Sequence, residues 1–128
     1  MLRIGFFPKF NATDAVLISG TSEDVASLSA QLAPLLTGDQ ATLVIHELAE
    51  VAPNHRLKLF AVLAPPQSQE IGTFFWPCTK HNRKEIKEKL VSLATSVTGH
   101  HYFELADIPV TLIISVGEYT DDWWQNHG

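Results

Sequence analysis

Asn82-Arg83-Lys84-Glu85-Ile86-Lys87-Glu88-Lys89-Leu90-Val91-Ser92-Leu93-Ala94-Thr95-Ser96-Val97-Thr98-Gly99 carries the clearest periodicity in the chain. Ile86, Leu90, Leu93, Ala94 and Val97 recur at helical spacing and form one apolar stripe. Asn82 followed by Glu85 has the spacing of a capping box, in which each side chain satisfies an unpaired N–H of the first turn. Gly99 then stops the helix.

Only one other segment reads as a helix. Thr21 or Ser22 caps it, Glu23 and Asp24 sit favourably in its positive first turn, and Val25, Leu28, Leu32 and Leu35 or Leu36 form its stripe. Pro34 is expected to kink or end it, and Gly38 to terminate it.

Everything else ordered reads as strand. Leu2, Ile4 and Phe6 alternate with Arg3, Gly5 and Phe7, and a turn is expected from Pro8 to Asp14. Ala15 to Ser19 is a continuous apolar run, the signature of a central strand. Ala41 to Glu47 is a strand followed by a loop at Pro53-Asn54-His55. Leu57, Leu59, Ala61 and Leu63 share one face of the next strand. Pro65-Pro66-Gln67-Ser68-Gln69 is a loop, and Gly72 to Trp76 a short aromatic strand stopped by Pro77. His101 to Leu105 and Val110 to Val116 follow, joined by a turn containing Asp107.

Runs of strands between only two helices point to an α+β fold rather than a doubly wound parallel sheet. The expectation is a single domain over residues 1–128, with two helices on one face of a mixed, mostly antiparallel sheet of about six or seven strands. The other face is left wet or free for a partner. Two strand-strand-helix-strand units divide near Pro53, but their sequences do not visibly match.

Composition supports one folded unit. The chain has 128 residues, of which 45% are hydrophobic and 18% charged, so it can bury a core without staples. Its one cysteine, Cys78, precludes an internal disulfide and fits a reducing, cytoplasmic setting. No signal peptide is read at Met1 to Lys9, and no apolar run approaches the roughly 18 residues of a bilayer span.

The net charge of -5 is unevenly distributed. Acids and bases cancel through Lys89. Beyond it stand Glu104, Asp107, Glu118, Asp121 and Asp122, with no Lys or Arg. Such a surface repels nucleic acid phosphates and anionic lipid and favours a basic partner, or simply serves solubility. Lys80, Arg83, Lys84, Lys87 and Lys89 cluster around the second helix, where Glu85 and Glu88 offset them at i,i+4 spacing. Without interleaved aromatics they read as a solvated face.

No motif names a reaction. His46-Glu47 is followed at the fourth position by Glu50, so the paired histidines of a zinc-protease helix are missing. Cys78 and His81 have the spacing of half a zinc site, but no second cysteine completes it; no metal and no cofactor are expected. Gly20-Thr21-Ser22 meets neither phosphate-loop spacing. Two readings are open for Cys78. Placed before a helix among Lys80, His81 and Arg83, it resembles an activated nucleophile with His81 or His100 as base. Following Phe74-Phe75-Trp76, it reads better as a buried small hydrophobe.

The most unusual stretch is Glu118-Tyr119-Thr120-Asp121-Asp122-Trp123-Trp124-Gln125-Asn126-His127. Adjacent tryptophans cannot both face one core from a regular element. Residues 118–128 therefore read as a folded-back lid, or as a partner-binding tail in which aromatic anchors are flanked by steering carboxylates. The leading expectation is a non-catalytic protein-binding module that contacts a basic partner through Tyr119, Asp121, Asp122, Trp123 and Trp124. It is similar in type, though not in motif, to small acidic inhibitor and immunity proteins. The alternative is a small enzyme or small-molecule binder with Cys78, His81, His100 and His101 around a pocket. Self-association through the uncovered sheet face is a third possibility.

Overall fold

A computed structural model describes residues 1–10, 12–67, 70–106 and 109–127. The expected turn residues Asn11 and Asp107, and Ser68 and Gln69 of the proline-rich loop, lie outside the described residues.

The fold is α+β. Its elements in chain order are β1 (Leu2–Phe10), β2 (Thr13–Gly20), α1 (Ser22–Leu36), β3 (Thr42–Val44), a 3-10 turn (Ile45–Glu47), β4 (Ala49–Val51), β5 (Lys58–Val62), β6 (Thr73–Pro77), α2 (Arg83–Ala94), β7 (Gly99–Glu104), β8 (Thr111–Val116) and α3 (Asp121–His127). The strands divide between two mixed sheets instead of one, in the orders β4-β1-β2-β8-β7 and β3-β5-β6. Among the described residues three pairings are antiparallel and three parallel. No helix among the described residues is long and apolar enough to cross a membrane.

The main core lies on one face of the five-stranded sheet. Leu2 and Ile4, Val16 and Ile18, Leu112, Ile114 and Val116, and Phe103 meet the apolar stripes of α1 and α2. Leu59, Ala61, Phe74 and Trp76 of the smaller sheet join the same cluster. The apolar run of β2 fits its place between β1 and β8, because a strand covered on both faces has no position for a polar alternation.

Local chemistry explains where the elements start and stop. Thr21 and Asp24 form the reciprocal capping box: the Asp24 N–H donates to Thr21 Oγ1 at 3.1 Å, and the Thr21 N–H to Asp24 Oδ2 at 3.0 Å. That Thr21 N–H, the largest influence on it, holds the Asp24 carboxyl below its ordinary value. Pro34 does not end α1; it is exposed, and the helix continues to bury Leu35 and Leu36. The stop comes at Gly38, in the left-handed region at φ 87.

The box expected at Asn82 and Glu85 does not form. The Asn82 carboxamide closes the preceding loop instead, accepting from the Thr79 N–H at 2.7 Å and donating to the Pro77 carbonyl at 2.8 Å. Glu85 pairs with Lys89 at 2.8 Å. α2 also ends before Val97, which is 90% exposed. The Thr95 and Ser96 hydroxyls donate back to the Val91 and Ser92 carbonyls and take up the helix terminus.

β1 runs through Pro8, where a turn was expected. The register slips between Phe7 and Phe10, and Lys9 adopts φ 55. Residues three apart on a regular strand point to opposite faces; the bulge brings Phe10 back beside Phe7, with ring centroids 5.8 Å apart.

Candidate functional site

The second face of the five-stranded sheet was expected to be open. Over its centre it is closed by α3, a helix of 7 residues. Ala15, Leu17, Ala52 and Ile113 form a second buried cluster with Trp124. Trp124 is 5% exposed, and its indole Nε1–H donates to Ser19 Oγ at 2.8 Å. A buried indole N–H needs such a partner, so this bond fixes both the depth and the rotation of the ring. At the start of α3 the Thr120 hydroxyl accepts the Trp123 N–H at 3.2 Å, and Arg3 reaches across from β1 to Asp121 at 2.8 Å.

Trp123, one position earlier, is half-buried and packs on the border of the same cluster, its ring edge to face with that of Trp124 at 5.2 Å. Its ring meets Tyr119 at 4.6 Å and an interplanar angle of 66°, Phe7 at 5.3 Å and Phe10 at 6.4 Å. His127, a turn later, stacks on it at 4.6 Å and 12°. Phe10 and Tyr119 are 6.2 Å apart at 54°. Phe10, Tyr119 and Trp123 border a half-open cleft of about 360 Å³ whose other lining includes His100, Tyr102 and Glu118.

Tyr102 stands directly across from Ile113, and His100 across from Ser115, so the floor of the cleft is the outer face of β7 and β8. Glu118, just after β8, is held there by two donors. Ser115 Oγ–H donates to it at 2.5 Å, and His100 Nδ1–H at 3.0 Å. Gly117, in the left-handed region at φ 70, makes the turn that brings it into place. Burial, and then the neighbouring Glu118 charge, pushes the Tyr119 phenol above its ordinary value.

The five residues expected to contact a partner thus divide. Tyr119 and Trp123 line the cleft, Asp122 is exposed on α3, and Asp121 is exposed while paired with Arg3. Trp124 is a correction: it faces inward and holds α3 down, so it offers no free surface. Phe10, Tyr102 and Ser115 belong to the site and were not foreseen. Only the bulge in β1 and the pairing of β7 with β8 bring them there.

The residues of the alternative reading do not converge. Cys78 is fully buried, its Sγ–H directed to the Trp76 carbonyl at 3.6 Å, and burial pushes its thiol up to about 12. The nucleophile reading needs a thiolate at neutral pH, and this environment withholds it. His81 is exposed on the loop before α2. His100 and His101 are adjacent on β7 and so face opposite sides of the sheet, His101 toward Ser92 of α2 at 3.5 Å. Burial, then the Lys89 and His100 charges, holds His101 below the ordinary histidine value.

Two further histidines complete backbone ladders. The Phe6 N–H donates to His55 Nδ1 and the Leu59 N–H to His46 Nδ1, each at 3.0 Å. Among the described residues no group of three or more His, Cys, Asp or Glu is placed to hold a metal ion.

A larger cavity of about 570 Å³ lies between α2 and β7, lined by Trp76, Ile86, Lys89, Phe103 and Glu104 among others. None of Cys78, His81, His100 or His101 lines it. The Lys89 ammonium is already engaged, donating to the Tyr102 carbonyl at 2.7 Å and lying 5.1 Å from the Phe103 ring.

Cys78 should therefore resist alkylation in the native protein. A thiol at about 12, against 9.0 for an ordinary one, carries about a thousandfold less thiolate at neutral pH. Iodoacetamide labelling should accelerate only where urea unfolds the chain. Native labelling at the rate of a free thiol would restore the nucleophile reading.

Compared with protein-family models, with curated proteins and with solved structures, the chain matches none.

Proposed function

We propose that this chain is a non-catalytic protein-binding module, acting in a reducing cytoplasmic setting, that holds a basic partner on the aromatic cleft beside α3. In role it corresponds to an acidic inhibitor or immunity-type protein. The observation that supports this most is the half-buried Trp123, ringed by Tyr119 and Phe10 and flanked by the carboxylates of Glu118 and Asp122. Aromatic side chains with few rotatable bonds are efficient interface anchors, and carboxylates around them speed encounter with a positively charged surface.

Rigidity adds to the case. Trp124 and the Arg3–Asp121 pair hold α3 in place before any partner arrives, so little ordering is left to oppose binding.

The test is capture from a lysate of cells that make this protein, comparing the parent chain with Trp123→Ala and Asp122→Lys. A basic protein retained by the parent should be lost from Trp123→Ala, whose affinity falls about thirtyfold or more if Trp123 is an anchor. Asp122→Lys should slow association and flatten its salt dependence. A partner set identical across the three chains would end this reading.

A further inference from the structure

We propose that the cleft receives an arginine side chain of the partner, its guanidinium seated among Phe10, Tyr119 and Trp123 and bonded to Glu118. This rests on the protein-binding reading and names what the site would grip.

The three rings pack against one another along the cleft. Their centroids are 4.6, 6.2 and 6.4 Å apart, and their planes are inclined to one another by 66°, 54° and 74°. A cation over such a triangle lies within about 6 Å of every centroid, the range in which a ring quadrupole attracts it. His127 stacks on one face of Trp123, so a guest uses the ring surface that borders the cleft. Tyr102, 51% exposed, adds a further aromatic wall.

The charge agrees. Among the described residues no Lys or Arg lines the cleft, and the one acid that does is Glu118, whose side chain remains 32% exposed. Ser115 and His100 hold that carboxylate from the sheet side. Two nearby cations are engaged elsewhere, Arg3 with Asp121 and Lys89 with Glu85 and the Tyr102 carbonyl.

The shape selects arginine over lysine. A guanidinium is planar and weakly hydrated, so it can lay its face on one ring while its edge N–H groups donate to a carboxylate. An ammonium is a compact, strongly hydrated point charge and gains less from flat walls.

The experiment is an NMR titration of the whole chain at constant pH and low ionic strength. The probes are N-acetylarginine amide and N-acetyllysine amide. The Trp123 indole N–H signal should move saturably with the arginine probe at millimolar concentration, and lysine should bind about fivefold more weakly. Glu118→Gln and Phe10→Leu should each weaken arginine binding about tenfold or more. The Trp124 indole signal, bonded to Ser19, reports that each variant keeps its fold.

An unmoved Trp123 signal overturns the proposal. So does lysine binding equal to arginine, or a well-folded Glu118→Gln that titrates like the parent. The two readings fail separately. A captured partner that the arginine probe cannot displace removes this inference alone. Saturable arginine binding, with no partner lost from Trp123→Ala, removes the protein-binding role alone.

Discussion

Trp124→Ala should lower the unfolding free energy by about 3–5 kcal/mol, a large part of the roughly 5–15 kcal/mol that holds such a domain together. The ring is buried against Ala15, Leu17 and Ile113, small and medium side chains that cannot collapse into the space it leaves. Its removal also strands the Ser19 hydroxyl, which loses its indole donor. Urea unfolding followed by circular dichroism measures the effect. Trp123→Ala, at a half-buried position, should lose far less, and Ser19→Ala about 1 kcal/mol. Equal losses for the two tryptophans would mean that α3 is not anchored as described, and the preorganised cleft would go with it.

Gly117→Ala is the second large effect, expected at about 2–4 kcal/mol. The glycine adopts φ 70, and a Cβ added there would strike the Val97 carbonyl oxygen, which belongs to backbone and cannot rotate away. Gly38→Ala is the control. Gly38 also lies in the left-handed region, at φ 87, but an added Cβ meets nothing within 4 Å. It should therefore show only the conformational part, about 1 kcal/mol. Equal destabilisation of the two variants by thermal unfolding would show that the collision is relieved elsewhere. Because Gly117 sets the path into Glu118 and Tyr119, its replacement should also shift the tryptophan fluorescence of the cleft.

Much of the architecture is visible in local pattern. The stripes of α1 and α2, the alternation from Leu57 to Leu63 and the unbroken apolar run of β2 are short-range signals, and each reflects a face that must be covered. What escaped was non-local or too brief. β4 spans three residues, too few to display a period of two, and α3 spans seven, too few to display a helical stripe. Division into two sheets depends on which strand edges meet, a matter of pairing over long separations. For the site, Trp123 and Tyr119 stood out by composition. Their companions did not: Phe10 arrives through a bulge, and His100 reaches Glu118 through the β7–β8 register. The pair at Asn82 and Glu85 teaches the reverse lesson. A good capping spacing was overridden because the loop after Pro77 had stronger need of the same carboxamide.

The parallel pairing of β2 with β8, in which Ala15 faces Thr111 and Gly20 faces Val116, has a consequence for the order of assembly. A growing chain delivers β1 and β2 first, and they can join at once as a hairpin. The seam through the middle of the sheet stays open until almost all of the described chain has emerged. Throughout synthesis β2 is an exposed apolar edge, a template for pairing with any passing strand. Pairing across so long a loop spends closure entropy before its contacts repay it, which slows folding relative to a pairing made locally. A nascent chain that has completed β2 but not β8 therefore carries one unpaired apolar edge, the place where mispairing during synthesis would begin.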